Sequence, residues 1–186
     1  SEVEKVVKEL EDELRRVAED SERSIREMEK RLDDFRKRVR ETAEKMKEDL
    51  RRVEERARRG DQPEEALTRE LERIKRELEK KLREAREDVK RIKDELEKLN
   101  REHHKKIKEI KDELRRTLDK LRKDGLEERI LKRVEDIVRR VEEELDKLDE
   151  KHTRVVKKVS DALDRIVEEL EKIVREVAKR LEDLRK

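Results

Sequence analysis

The chain contains no cysteine, which excludes a disulfide framework, a thiolate metal site and a cysteine nucleophile. Its one aromatic residue, Phe35, cannot supply the stacking platforms on which single-stranded nucleic acids are held. One proline and two glycines among 186 residues leave few places for the backbone to turn. No apolar run approaches the roughly 18 residues of a membrane span. Ser1 leads into a charged pattern without signal-peptide character, so a soluble protein with no membrane partner is expected. Charge of a single sign is missing too. The 58 Lys and Arg residues nearly cancel 56 Asp and Glu, leaving +2. Nucleic-acid binding needs a basic face, and the nearest approach is the short, acid-flanked His103-His104-Lys105-Lys106.

What the chain has in abundance is charge of both signs. Charged residues make up 61% of it and hydrophobic ones 30%, too few to fill an ordinary globule. Disordered chains share that low hydrophobicity, but they tend to carry a large net charge and much Pro, Gly and Ser. Balanced charge, Leu-rich composition and an almost complete lack of helix breakers point instead to long helices.

Two interruptions, Gly60-Asp61-Gln62-Pro63 and Asp124-Gly125, cut the chain into segments of about 60 residues. Each segment opens with a Ser or Asp followed three residues later by Glu: Ser1 with Glu4, Asp61 with Glu64, Asp124 with Glu127. At that spacing the first side chain can accept an orphan backbone N–H while the Glu reaches back to the cap's own N–H. Pro63 suits a first helical turn and Gly60 the left-handed residue after a helix. The reading is one domain, 1–186, with helices at about 2–59, 62–123 and 126–185. At 1.5 Å per residue each would be about 85 to 90 Å long, and loops so short force antiparallel neighbours. Arg59-Gly60-Asp61 matches the tripeptide that integrins recognise in matrix proteins, but each residue has a local helix-end reason to be there.

The apolar residues fall on a lattice. On the first helix it runs Val7, Leu10, Leu14, Val17, Ser21, Ile25 and repeats from there through Phe35, Val39 and Ala43 to Ala57. The second follows it from Leu67 to Leu121 and the third from Ile130 to Leu184. Steps of 3, 4, 3, 4 and 4 make 18 residues in five turns, the 3.6 period of a straight helix rather than the 3.5 of a left-handed supercoil. The expected fold is all-α: a long, nearly untwisted antiparallel three-helix bundle.

Four lattice positions are polar: Ser21, Asn100, His103 and His152. Folding the chain back at its loops, with Ala57 beside Leu67 and Leu121 beside Ile130, puts His103 level with Ser21 and His152 level with Asn100. Ser24 and Ile25 come to the second of these heights. An unpartnered buried polar group costs roughly 1 to 3 kcal/mol, so four of them in two adjacent layers imply a hydrogen-bonded network. The expected pairs are His103 with Ser21 and His152 with Asn100, assisted by Ser24 or Thr153. The plainer alternative has both histidines at the boundary, touching water; His104, one residue off the lattice, reads as boundary or solvent.

Other chemistry is poorly served. Zinc needs three or four converging ligands and the lattice offers two histidines; bis-histidine haem needs cleared space that Leu, Ile and Val fill. Ser21 with His103 lacks an orienting carboxylate, an oxyanion hole and a pocket. No enzyme activity, cofactor, metal or small-molecule substrate is expected. The third helix also carries an extra apolar row, Leu131, Val138, Val156, Val167 and Val174, each one position after a lattice residue. It either widens the core edge of a monomer or forms the surface of a homo-oligomer or partner helix.

Equal helices, a capping box at every start, minimal loops, the 3.6 period and Glu/Lys/Arg outer faces resemble a de novo designed, parametric helical bundle. Spectrin-like repeats and membrane-bending BAR domains are also long helical structures, but normally carry aromatics, kinks and irregular loops. The resemblance spans the whole chain, rests on design grammar rather than a family motif, and implies a stable scaffold without an inherited active site. The expected function is therefore structural, with a buried polar network. The alternatives are a pH-responsive switch or assembly module driven by buried histidines, or helix-mediated oligomerisation.

Overall fold

Residues that alternate between a narrow apolar seam and a charged outer face have one conformation that separates the two, the α-helix. The computed structural model describes residues 2–60 and 62–185, the side chains of 184 and 185 excepted. It contains three α-helices, α1 (Glu2–Arg59), α2 (Glu64–Lys123) and α3 (Glu128–Arg185), and no strand among the described residues. Charges complement the helix dipoles: α1 opens with Glu2 and Glu4 and closes with Arg56, Arg58 and Arg59, and α2 runs from Glu64 and Glu65 to Lys120, Arg122 and Lys123. No helix among the described residues is long and apolar enough to cross a membrane.

The helix starts differ from the sequence reading. α2 begins at Glu64 rather than 62, with Pro63 just outside, where its carbonyl accepts from the N–H groups of Ala66 and Leu67. α3 begins at Glu128 rather than 126, and the Glu127 carbonyl plays the same part for Ile130 and Leu131. Asp124 is not the cap of α3. Its N–H still bonds the Lys120 carbonyl, so it completes α2, and Gly125 at φ +72° makes the reversal. Gly60, at φ +67°, does the same after α1. The proposed caps Ser1 and Asp61 and the lattice residue Leu184 lie outside the described residues or side chains.

The chain divides into two compact units, each built from one stretch of every helix: Ser1–Glu29 with Glu95–Lys158, and Lys30–Asp94 with Val159–Lys186. In the first, a cluster including Leu10, Val17, Ile107, Leu114, Val134 and Leu145 forms the core. In the second, Phe35, Ile74, Leu78, Leu163, Leu170 and Val177 are at most 2% exposed. Fully burying such a side chain stabilises by about 1.5 to 3 kcal/mol. Interhelix ion pairs report the register. In the first unit Lys111, Arg115 and Arg122 of α2 meet Asp146, Glu142 and Glu135 of α3, one number rising as the other falls. In the second, Arg86 and Lys93 meet Glu171 and Asp164 in the same sense. Helices α2 and α3 are thus antiparallel within each unit. Such exposed pairs add at most about 1 kcal/mol each; burial of the seam carries the stability.

The lattice residues among the described side chains are buried or half-buried with one exception. Ala57 is exposed, because α1 ends two residues later and a methyl group gains little by packing there. The extra row on α3 turns inward: Val138, Val156 and Val167 are buried, and Leu131 and Val174 half-buried. No large hydrophobic residue among the described ones is exposed. The buried face of α3 is therefore wider than its lattice seam.

Candidate functional site

The polar residues of the seam lie in the first unit, on three helices at two adjacent heights. In one layer α1 supplies Ser21, α2 His103 and α3 Asp149. His103 Nε2 is 3.0 Å from Ser21 Oγ, and its Nδ1 is 3.2 Å from Asp149 Oδ1. In the next layer α1 supplies Ser24, α2 Asn100 and α3 His152. His152 Nε2 is 2.8 Å from Ser24 Oγ, and its Nδ1 is 2.9 Å from Asn100 Oδ1. Thr153 adds a hydroxyl that donates to the same Asn100 oxygen over 3.3 Å. Each imidazole is thus held between a serine of α1 and an oxygen acceptor, and the two rings stack with centroids 4.1 Å apart and planes 9° from parallel.

The acceptors settle the direction of these bonds. A carboxylate or amide oxygen can only accept, so Nδ1 of each neutral imidazole carries the proton and donates it. Nε2 must then accept, and the serine hydroxyls donate to it. The apolar seam continues through Val17, Ile107 and Leu145 on one side of these layers and Ile25, Leu96 and Val156 on the other, all buried. Ser21 is 1% exposed and His152 wholly buried, so these bonds replace water rather than add to it. Among the described residues the buried side-chain atom without a hydrogen-bond partner is Gln62 Oε1, outside this group.

Burial has an electrostatic cost for His152. Its pKa is lowered from 6.5 to about 4, chiefly because desolvation disfavours the cation, then because His103 lies against it; Asp149 pulls weakly the other way. Asp20, beside the site on α1, is engaged by Lys106 at 2.8 Å, and that bond holds its carboxyl below the usual carboxylate range.

One member of the site, Asp149, was missing from the sequence reading. Asp149 binds His103 through one oxygen and His104 Nδ1 through the other, at 2.6 Å, although His104 itself is 70% exposed. A signal for Asp149 existed. The α3 row of Leu131, Val138, Val156, Val167 and Val174 follows an 18-residue repeat, and Asp149 occupies the place in that row between Val138 and Val156. Its partial burial is that of the row: the Asp149 side chain is 17% exposed.

Asp149 also corrects the statement that Ser21 and His103 lack an orienting carboxylate. Serine, imidazole and carboxylate are here connected in the order that activates a hydroxyl nucleophile. The arrangement still lacks what acyl transfer requires. Ser21 is closed off from solvent, and the backbone N–H groups around it are spent inside α1, leaving none to form an oxyanion hole. No group of three or more His, Cys, Asp or Glu side chains is placed to hold a metal ion among the described residues. The geometry serves hydrogen bonding and proton binding.

Comparison with known proteins adds the fold. No protein-family model matches the chain, and no curated protein does. A solved structure described as a computationally designed three-helix bundle is similar over 98% of this chain and 92% of that one, with a TM-score of 0.52 and 14% identity. The fold is a three-helix bundle. At that identity the likeness speaks for backbone arrangement alone, and the polar layers must be understood from this bundle's own side chains.

Proposed function

We propose that this three-helix bundle is a designed structural scaffold whose task is to hold a buried, fully bonded polar network in register, without a natural biochemical reaction, cofactor or small-molecule substrate. The observation that carries the reading is the paired arrangement of Ser21, His103 and Asp149 above Ser24, His152 and Asn100, one residue from each helix in each layer. The regular 18-residue repeat, the cap charges and the likeness to a computationally designed bundle support a designed origin. A single such layer locks three helices at one height, because sliding any helix by a turn would strand its partners.

This reading is tested by comparing one substitution with several. Asn100→Ala alone should lower unfolding free energy by about 1 to 3 kcal/mol, since it leaves the His152 Nδ1–H buried without an acceptor. Replacing Ser21, Ser24, Asn100, His103 and His152 together by apolar residues of matching volume should preserve or raise stability, because satisfied polar layers seldom exceed a hydrophobic core. Guanidinium unfolding followed by circular dichroism reads both. A harmless Asn100→Ala would show that the network does not constrain the helices.

The inward packing of the α3 row supports reading the chain as a monomer rather than as an oligomerisation module. Sedimentation at high micromolar concentration should return the mass of one chain, 22.8 kDa; a stable dimer would revive the α3 interface. A second reading is favoured by one observation, the fully buried neutral His152 with its pKa lowered to about 4. On that reading the network is acid-sensitive, and the bundle loosens when this ring is forced to charge.

A further inference from the structure

The two layers are nearly copies of each other except in charge. Each sets an imidazole between a serine of α1 and an oxygen acceptor, but the acceptor is the carboxylate of Asp149 for His103 and the amide of Asn100 for His152. We propose that the stacked histidine pair is a one-proton site, in which His103 takes the first proton against Asp149 and His152 is the trigger that charges last and opens the network. This deepens the acid-sensitive reading above and rests on it.

Three observations carry the order of events. The first is the acceptor. An imidazolium at His103 donates to an anion through Nδ1, whereas one at His152 would find only an amide and hydroxyls. Access is the second: the His103 side chain is 10% exposed and Asp149 17%, while His152 is wholly enclosed. The third is the stack. Rings 4.1 Å apart and 9° from parallel tolerate a cation over a neutral ring, but two cations in that position repel each other.

Since His103 Nδ1 already holds one proton, the added one is carried on Nε2. That nitrogen changes from acceptor to donor, so Ser21 must rotate to accept from it. The freed hydroxyl hydrogen can turn to the Val17 carbonyl one turn back on α1, as helical serines commonly do. No bond between helices is lost in this step. The corresponding step at His152 would turn Nε2 toward Ser24 with no anion within the layer, beside a charged His103. The charged groups facing the pair are Asp149 from α3 and His104 from α2, which shares the Asp149 carboxylate. On α1 Asp20 lies nearby, held by Lys106 and Arg23, and the side chains that touch the rings are the hydroxyls of Ser21 and Ser24.

Ring nitrogen shifts measured by NMR across pH 8 to 3 on the full chain, with His104→Gln to remove the exposed ring, test the proposal. The ring of His103 should become doubly protonated before that of His152. Asp149→Asn, which gives both layers the same kind of acceptor, should remove the lead of His103 over His152. Simultaneous titration of the two rings, His152 charging first, or a His103 transition unmoved by Asp149→Asn would each overturn the one-proton order. The broader acid-sensitive reading fails by a different sign: an unfolding midpoint whose pH dependence survives His152→Leu, whatever order the rings follow.

Discussion

Acidification from pH 7 to about pH 4 should cost the bundle about 3 kcal/mol of unfolding free energy through His152. The unfolded ring titrates near 6.5 and the folded one near 4. Because the folded pKa is the lower, the unfolded state binds the extra proton throughout that window. The contribution of a neutral, hydrogen-bonded His152 is therefore fully present above about 6.5 and declines until the folded ring also charges, near 4. Carboxylates titrate over the same range and in opposing directions. Asp20, whose carboxyl is held low mainly by its bond from Lys106, loses stabilisation as pH falls; Glu13, raised first by burial and then by Glu113, is relieved. The comparison that isolates the histidine is His152→Leu. Its guanidinium midpoint should fall less between the two pH values than that of the parent, by the equivalent of about 3 kcal/mol. Parallel midpoints in the two proteins would mean that His152 is not held neutral inside the bundle.

Phe35→Ala should cost about 3 to 5 kcal/mol at neutral pH, a larger effect than any single change in the polar layers. Phe35, on α1, is 1% exposed, the only aromatic residue of the chain, and lines a groove with Ala85 of α2 and Leu170 of α3. A large side chain near a small one fills the seam, so truncation removes the ring's buried surface and leaves a cavity beside Ala85. Arg38 sits 6.0 Å from the ring centroid, at the outer limit of a cation–π contact, and adds little on this exposed edge. Phe35→Leu should recover most of the loss by keeping volume in the seam. Chemical denaturation of both variants measures the difference. A cost below about 1 kcal/mol for the alanine would show that the groove around Phe35 collapses freely, contrary to the close packing expected of a protein interior.

The polar site illustrates how far one-dimensional reasoning reaches. Heights along a straight helix follow from residue number, since each residue advances by a constant rise. Loop positions then set one helix against the next. That is enough to bring Ser21 level with His103 and Asn100 level with His152, and the structure places these pairs within 3.0 Å. It is not enough to find Asp149. Height does not say how wide an arc of a helix its neighbours cover, and a position one residue past the seam points about 100° away from it.

The sequence by itself determined that the chain forms three long helices, where they reverse, which faces turn inward and which four seam positions are polar. Those properties are local or periodic: breakers at Gly60 and Gly125, an 18-residue repeat and charges matched to helix ends. Tertiary structure decided the rest. It widened the buried face of α3 to take in Val138, Val156, Val167 and, with them, Asp149. It stacked His103 on His152, a contact between rings from different helices that depends on side-chain rotamers as well as on register. The starts of α2 and α3 come two residues later than the pattern suggests for a local reason: a left-handed glycine followed by a helix entry needs more chain than a capping box alone. The wider buried face of α3 and the stacked rings depend on rotation about helix axes and on the packing of three helices together, and height along the chain does not contain that.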